Sequence, residues 1–120
     1  MKRDLDLIRK MLLAIEDAPS GWAPELKIDG NTDTQIGYHS YLMIDAGLAH
    51  GHDVSELGSE APNSMISNLT WAGHEFADAA RDETLWKKAM GIVAEKGGNI
   101  TLDIMKQLLS SLMKGALGLS

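Results

Sequence analysis

The sequence predicts an α+β, mostly helical fold, and three observations lead there. Apolar residues recur at helical spacing in five separate segments. Two extended runs flank a loop rich in Gly, Pro and Asn, which is the pattern of a β-hairpin. At 120 residues with 44% hydrophobic content, the chain makes one compact domain.

The elements follow in order. "RDLDLIRKMLLAIEDA" places Leu5, Ile8, Leu12 and Ile15 on one stripe, widened by Leu7, Met11 and Ala14, and predicts an amphipathic helix ending before Pro19. "PSGWAP" is a loop between two prolines. "ELKID" alternates like a short strand before a turn at Asp29-Gly30-Asn31. Thr32 or Asp33 can cap a helix over 33–46, with Gly47 as the glycine just past its end. "LAHGHDVS" and "SMISNLTW" read as the hairpin strands around "ELGSEAPN". Helical patterns over Gly73–Arg81 and Glu83–Glu95 follow, the second capped by Asp82. Thr101 caps a last helix with Leu102, Met105, Leu108, Leu109, Leu112, Met113 and Ala116 on one face.

Helix, short strand, helix and hairpin is the order of a winged helix-turn-helix-like domain, with the hairpin as wing and the middle helix shortened or lost. The predicted division is a winged-helix-like core over 1–72 and an appended helical layer over 73–120.

Composition excludes several classes of function. Cys is absent, which removes disulfides, thiolate metal sites and thiol catalysis. The charged N-terminus "MKRDLDLIRK" has no apolar signal core, and the apolar clusters near Met11 and Leu108 are too short for a bilayer, so a cytoplasmic location is expected. Seven Met residues suggest an adaptable core or contact surface.

The net charge of −6 is sharply partitioned. Five basic residues balance five acidic ones from Met1 to Lys27, and six outweigh four from Arg81 to Ser120. Between them, 28–80 holds no Lys or Arg but eight acids: Asp29, Asp33, Asp45, Asp53, Glu56, Glu60, Glu75 and Asp78. That is either a solvated acidic face or a surface that repels nucleic acid and attracts a basic partner.

Catalytic patterns fail on spacing. His50 and His52 alternate beside Asp53 without a third metal ligand at fixed spacing. "GHEF" has Asp78 where a zinc-protease helix needs its second His. Ser64 and Ser67 lack a nucleophile-elbow glycine pattern, and Gly97-Gly98 lacks phosphate-loop spacing. The expectation is a protein without enzymatic activity, cofactor or metal.

"MKRDLDLIRKMLLAIE", "YHSYLMIDAGL" and "LTWAGHEFADAARDETLWKKA" together resemble a family of small bacterial and prophage-borne proteins of unassigned function, over nearly the whole chain. The resemblance implies a winged-helix-like fold and no particular activity. "AGL" followed by "LTWAG" also resembles the helix end and wing end of MarR- and ArsR-type repressors, over a much shorter stretch.

The likeness sets a register for the helix over 33–46. In it Ile36, Ser40, Met43 and Gly47 face inward, and Gly37, Tyr38, Tyr41, Leu42, Ile44 and Asp45 face outward. Base-reading positions would hold Arg, Lys, Asn or Gln; these are aromatic, aliphatic or acidic. An alternative register puts Tyr38, Leu42 and Asp45 nearer the core, and the apolar helix is covered either by the C-terminal helices or by a partner. The wing brings Asp53 and Glu56 where phosphate contacts would fall. DNA binding through this face is therefore not expected. A protein partner is, on Tyr38, Tyr41, Leu42, Asp45, Asp53 and Glu56.

Trp86 reads as a buried anchor beside exposed Lys87 and Lys88. With Arg81 they form the one candidate nucleic-acid or phosphate contact. The stripe over 101–117 is either intramolecular core or a homodimer seam. Two functional readings remain open. One is a phage- or prophage-type inhibitor or modulator of a host defence or regulatory system, acting by protein contact. The alternative is a DNA-binding transcriptional regulator using Arg3, Arg9, Lys10, Arg81, Lys87 and Lys88.

Overall fold

In the computed structural model, which describes residues 1–98 and 100–118, the chain is α+β. Its elements are α1 (Leu5–Glu16), α2 (Asp33–Asp45), β1 (Ala49–Asp53), β2 (Ser64–Leu69), α3 (Trp71–Ala80), α4 (Glu83–Glu95) and α5 (Leu102–Ala116). They fall into two units, Met1–Ala77 and Asp78–Ser120. The division lies within α3 rather than after residue 72, because the first turn of α3 is held to the end of α2.

In the first unit, α1 buries Leu7, Ile8, Met11, Leu12 and Ile15, as its stripe requires. Its Asp4 side chain caps the helix by accepting the Leu7 N–H at 3.1 Å. Thr32 caps α2 in a full capping box with Gln35: each side chain accepts the other residue's backbone N–H. α2 packs on α1, β1 and β2. It ends in a Schellman motif, in which Gly47 at φ 80° donates to Ile44 and Leu48 donates back to Met43.

β1 and β2 form a two-stranded antiparallel sheet, pairing Ala49 with Leu69 and Asp53 with Ser64. The register shifts between His50 and Gly51, leaving Ser67 as the extra residue of a bulge.

Two expectations on this unit need correction. "ELKID" is not a strand: residues 23–28 run without regular structure, and the link to the sheet is one bond from the Ala23 N–H to the Ser67 carbonyl at 2.8 Å. Residues 24–28 make no further backbone bond to the sheet among the described residues. The inward and outward assignment on α2 is also wrong at its ends. Ile36, Ser40 and Met43 are buried as expected, but Gly47 is exposed and Gly37 is buried. The Asn63 side chain lies against the Gly37 backbone, where a Cβ would collide with it.

In the second unit, α4 buries Trp86, Ala89 and Val93 and packs on α5, which buries Met105 and Leu109. Asp82 and Thr101 cap these helices by accepting the Leu85 and Ile104 N–H groups. Along the α5 stripe, Leu102, Leu108, Leu112 and Met113 are half-buried and Ala116 is exposed. Among the described residues, no helix is long and apolar enough to cross a membrane.

Candidate protein-binding face

Hydrogen bonds tie α1, α2 and the start of α3 to one another. The Asp4 N–H donates to Nε2 of buried His39 at 2.9 Å, and His39 Nδ1 meets the Gln35 carbonyl at 2.8 Å. The tautomer with its hydrogen on Nδ1 satisfies both ring nitrogens, leaving neither for a metal or a proton-transfer role.

Thr70 makes the second tie. Its hydroxyl donates to the Gly47 carbonyl at 2.6 Å and accepts the Gly73 N–H at 3.0 Å, while its own N–H donates to Leu48. The start of α3 is thereby fastened to the end of α2. Gly73 sits so close that a Cβ there would collide with the Leu48 carbonyl oxygen. His74 makes the third, its Nδ1 lying 3.0 Å from Glu16 Oε2 at the end of α1. Histidines and a threonine that could pass for catalytic groups are thus clasps between elements. Sequence reasoning did not single out Thr70 and Asn63: their contacts with Gly47 and Gly37 span 23 and 26 residues, although Thr70 also accepts the Gly73 N–H, a local signal.

The side chains of fixed charge in 28–80 are all acidic. All eight acids of 28–80 are exposed. Lys27, just outside that span, lies 2.9 Å from Asp33 and 3.6 Å from Glu25. The hydrogen bond and charge of Asp33, with a smaller contribution from Glu25, raise the Lys27 ammonium above the usual lysine range.

Between β1 and β2 the hairpin loop is internally braced. Asp53 accepts the Ser55 N–H at 2.6 Å, and this bond together with the Ser55 hydroxyl holds its carboxyl below the usual aspartate range. Ser55 Oγ accepts the Asn63 N–H at 2.8 Å, and Glu56 and Ser59 exchange bonds at 2.9 and 3.0 Å. Gly58, at φ 87°, turns the tip, where Leu57 is fully exposed between Glu56 and Glu60.

Of the expected contact residues, Asp45, Asp53 and Glu56 are exposed, while Tyr38, Tyr41 and Leu42 are half-buried. The two tyrosines stack, with ring centroids 6.1 Å apart and planes 22° from parallel. Exposed apolar groups that sequence reasoning missed are Trp22, Trp71 (82% exposed) and Met65. In the second unit, Arg81, Lys87 and Lys88 are exposed, and Lys87 lies 3.3 Å from Glu83. Among the described residues no three of His, Asp and Glu gather as a metal-holding group.

Residues 2–99 match the family described as "Hypothetical protein (DUF2513)". The chain belongs to the DUF2513 family. It is also similar to an uncharacterized protein of Haemophilus influenzae, 33% identical over 117 residues, covering 94% of this chain and 96% of the relative. No solved structure matches the chain. In this DUF2513 chain, hydrogen bonds clasp α1, α2 and α3 together.

Proposed function

We propose that the protein acts without catalysis, by binding another protein through the acidic outer side of a winged-helix-like first unit. The observation that carries this reading is the exposure of seven carboxylates across 28–77 of the first unit, with no Lys or Arg among them. In this reading α2 stands where a recognition helix would and the β1–β2 hairpin stands where a wing would, its tip acidic. A like-charge contact with phosphate at about 4 Å costs roughly 1 to 4 kcal/mol, depending on the local dielectric. Several such contacts would cancel ordinary non-specific affinity for a duplex. A partner surface that itself handles nucleic acid has the complementary charge, which suits an inhibitor or modulator of a host defence or regulatory system.

Two results test this. A gel-shift assay at about 150 mM salt should show no submicromolar duplex binding. Sequence-specific retardation there would favour the regulator that uses the basic ends of the chain.

Capture of a partner from a bacterial lysate, with nuclease-treated controls, should depend on Tyr41. Truncating an interface aromatic typically costs about 2 kcal/mol or more, roughly thirtyfold in affinity. Because Tyr41 is half-buried and stacked on Tyr38, Tyr41→Ala should also lower stability by about 0.5 to 1.5 kcal/mol. Asp45→Lys should slow association, with the loss shrinking as salt rises. Unchanged capture by both variants would remove this face from the contact.

A further inference from the structure

We infer that the cleft between α2 and the outer edge of β2 receives an extended cationic segment of the partner, which adds to β2 as a third strand. This deepens the protein-binding reading and rests on it for the class of partner, but it uses a different side of α2 from Tyr41 and Asp45.

The register turns backbone groups of β2 away from β1, toward the cleft, where Ser64 is 6% exposed and Ile66 is half-buried. Val54 donates to Asn63 at 2.9 Å, and Thr70 donates to Leu48 at 3.0 Å at the other end of the ladder. Bonded and non-bonded pairs alternate in an antiparallel ladder. His52 and Met65 therefore form a bonded pair, and Ser64 and Ile66 turn their N–H and C=O groups away from β1. Among the described residues no backbone group pairs with those two. The chain at 23–27 bonds β2 at Ser67 alone, through the Ala23 N–H, and then forms the opposite wall of the cleft.

The space left is a cleft of about 400 Å³, walled by Pro24–Lys27, by Ile36, Gly37 and Ser40 of α2, and by residues 63–66. A strand residue occupies about 160 Å³ of a sheet layer, from a ~3.3 Å rise, ~4.8 Å strand spacing and ~10 Å layer spacing. The cleft accommodates two to three such residues.

Edges are ordinarily blunted by lysines or prolines or are covered. Pro24 and Lys27 stand in this wall, but the Lys27 ammonium is held by Asp33 and Glu25, and Met65, 58% exposed, sits between the two outward-facing positions. Strand addition supplies main-chain bonds, and pockets and charge supply selectivity.

The occupant's charge follows from the walls. Glu25 and Asp33 share the single ammonium of Lys27, and every other formal charge in 28–80 is negative. A second copy approaching through the same span would set carboxylate against carboxylate. A strand bearing Lys or Arg is complementary.

The experiment uses the full chain and capped hexapeptides alternating Lys with Val or Glu with Val, with amide hydrogen exchange followed by NMR. The Lys–Val peptide should slow exchange at Ser64 and Ile66 about tenfold or more, leaving the already paired Met65 amide unchanged. A Lys–Val peptide N-methylated along its bonding edge should give no protection. Glu25→Gln combined with Asp33→Asn should weaken binding about tenfold and flatten its salt dependence. Tyr41→Ala should leave peptide binding intact, which separates failure of this site from failure of the α2 outer face.

Three results would overturn the inference. One is Ser64 and Ile66 exchange untouched by either peptide. Another is equal binding of the Glu–Val peptide. The third is protection that appears without peptide as protein concentration rises, which would assign the edge to self-association.

Discussion

Gly73→Ala should lower the stability of the first unit by about 3 kcal/mol or more, at or beyond the top of the usual range for overpacking. The new Cβ would run into the Leu48 carbonyl oxygen, which is backbone and cannot rotate aside as a side chain would. Relief requires the start of α3 to move off the end of α2. That movement stretches the bonds from Thr70 to Gly47, Leu48 and Gly73 together. The control is the same substitution at Gly91, an exposed position within α4 where a Cβ meets nothing within 4 Å. There alanine removes the backbone entropy cost of a mid-helix glycine and should stabilise by about 0.5 to 1 kcal/mol. Denaturant unfolding followed by far-ultraviolet circular dichroism reads both. A neutral Gly73→Ala would show that the clasp yields freely.

Trp86→Ala should cost about 3 to 5 kcal/mol, the range for emptying a fully buried large aromatic site. Trp86 is 3% exposed, and Ala89 and Val93 on the same face of α4 are buried with it. Its neighbours Lys87 and Lys88 point to solvent, and alanine at either should stay within about 0.5 kcal/mol of wild type. Fluorescence offers a second readout. Trp22 and Trp71 are exposed, so Trp86→Ala should remove the blue-shifted part of the emission while the solvent-exposed part survives. Retention of both the blue-shifted emission and full stability would place the indole in water and invert its assignment as an anchor.

The helices and the hairpin were legible because their signals are local. Apolar spacing of three and four marks α1, α4 and α5 within a dozen residues of chain. Thr32, Asp82 and Thr101 announce the helix starts, since a capping side chain reaches only two or three residues ahead. Gly47 marks the end of α2 because only glycine takes its positive φ without strain. The ladder between β1 and β2 follows from two extended runs on either side of a turn-rich loop.

The candidate site was legible only as charge. The run without Lys or Arg is a property of the chain, and its eight acids are all exposed. Which apolar groups stand beside them was not. "ELKID" alternates well enough for a strand, yet whether it pairs depends on an edge more than 30 residues downstream, to which only Ala23 bonds. Tyr38 and Tyr41 could be assigned outward on a helical wheel, but half of each surface is covered by neighbours that no periodicity names.

Composition and local pattern were thus enough for the element order, the caps, the absence of thiol chemistry and the acidic middle of the chain. Contacts between distant residues set the rest. They turned His39, Thr70 and His74 into clasps, buried Gly37 under Asn63, and turned backbone groups of β2 toward a cleft. The reason is physical: helix propensity and capping act over a few residues, whereas burial and hydrogen-bond satisfaction depend on which side chains the fold brings from far along the chain.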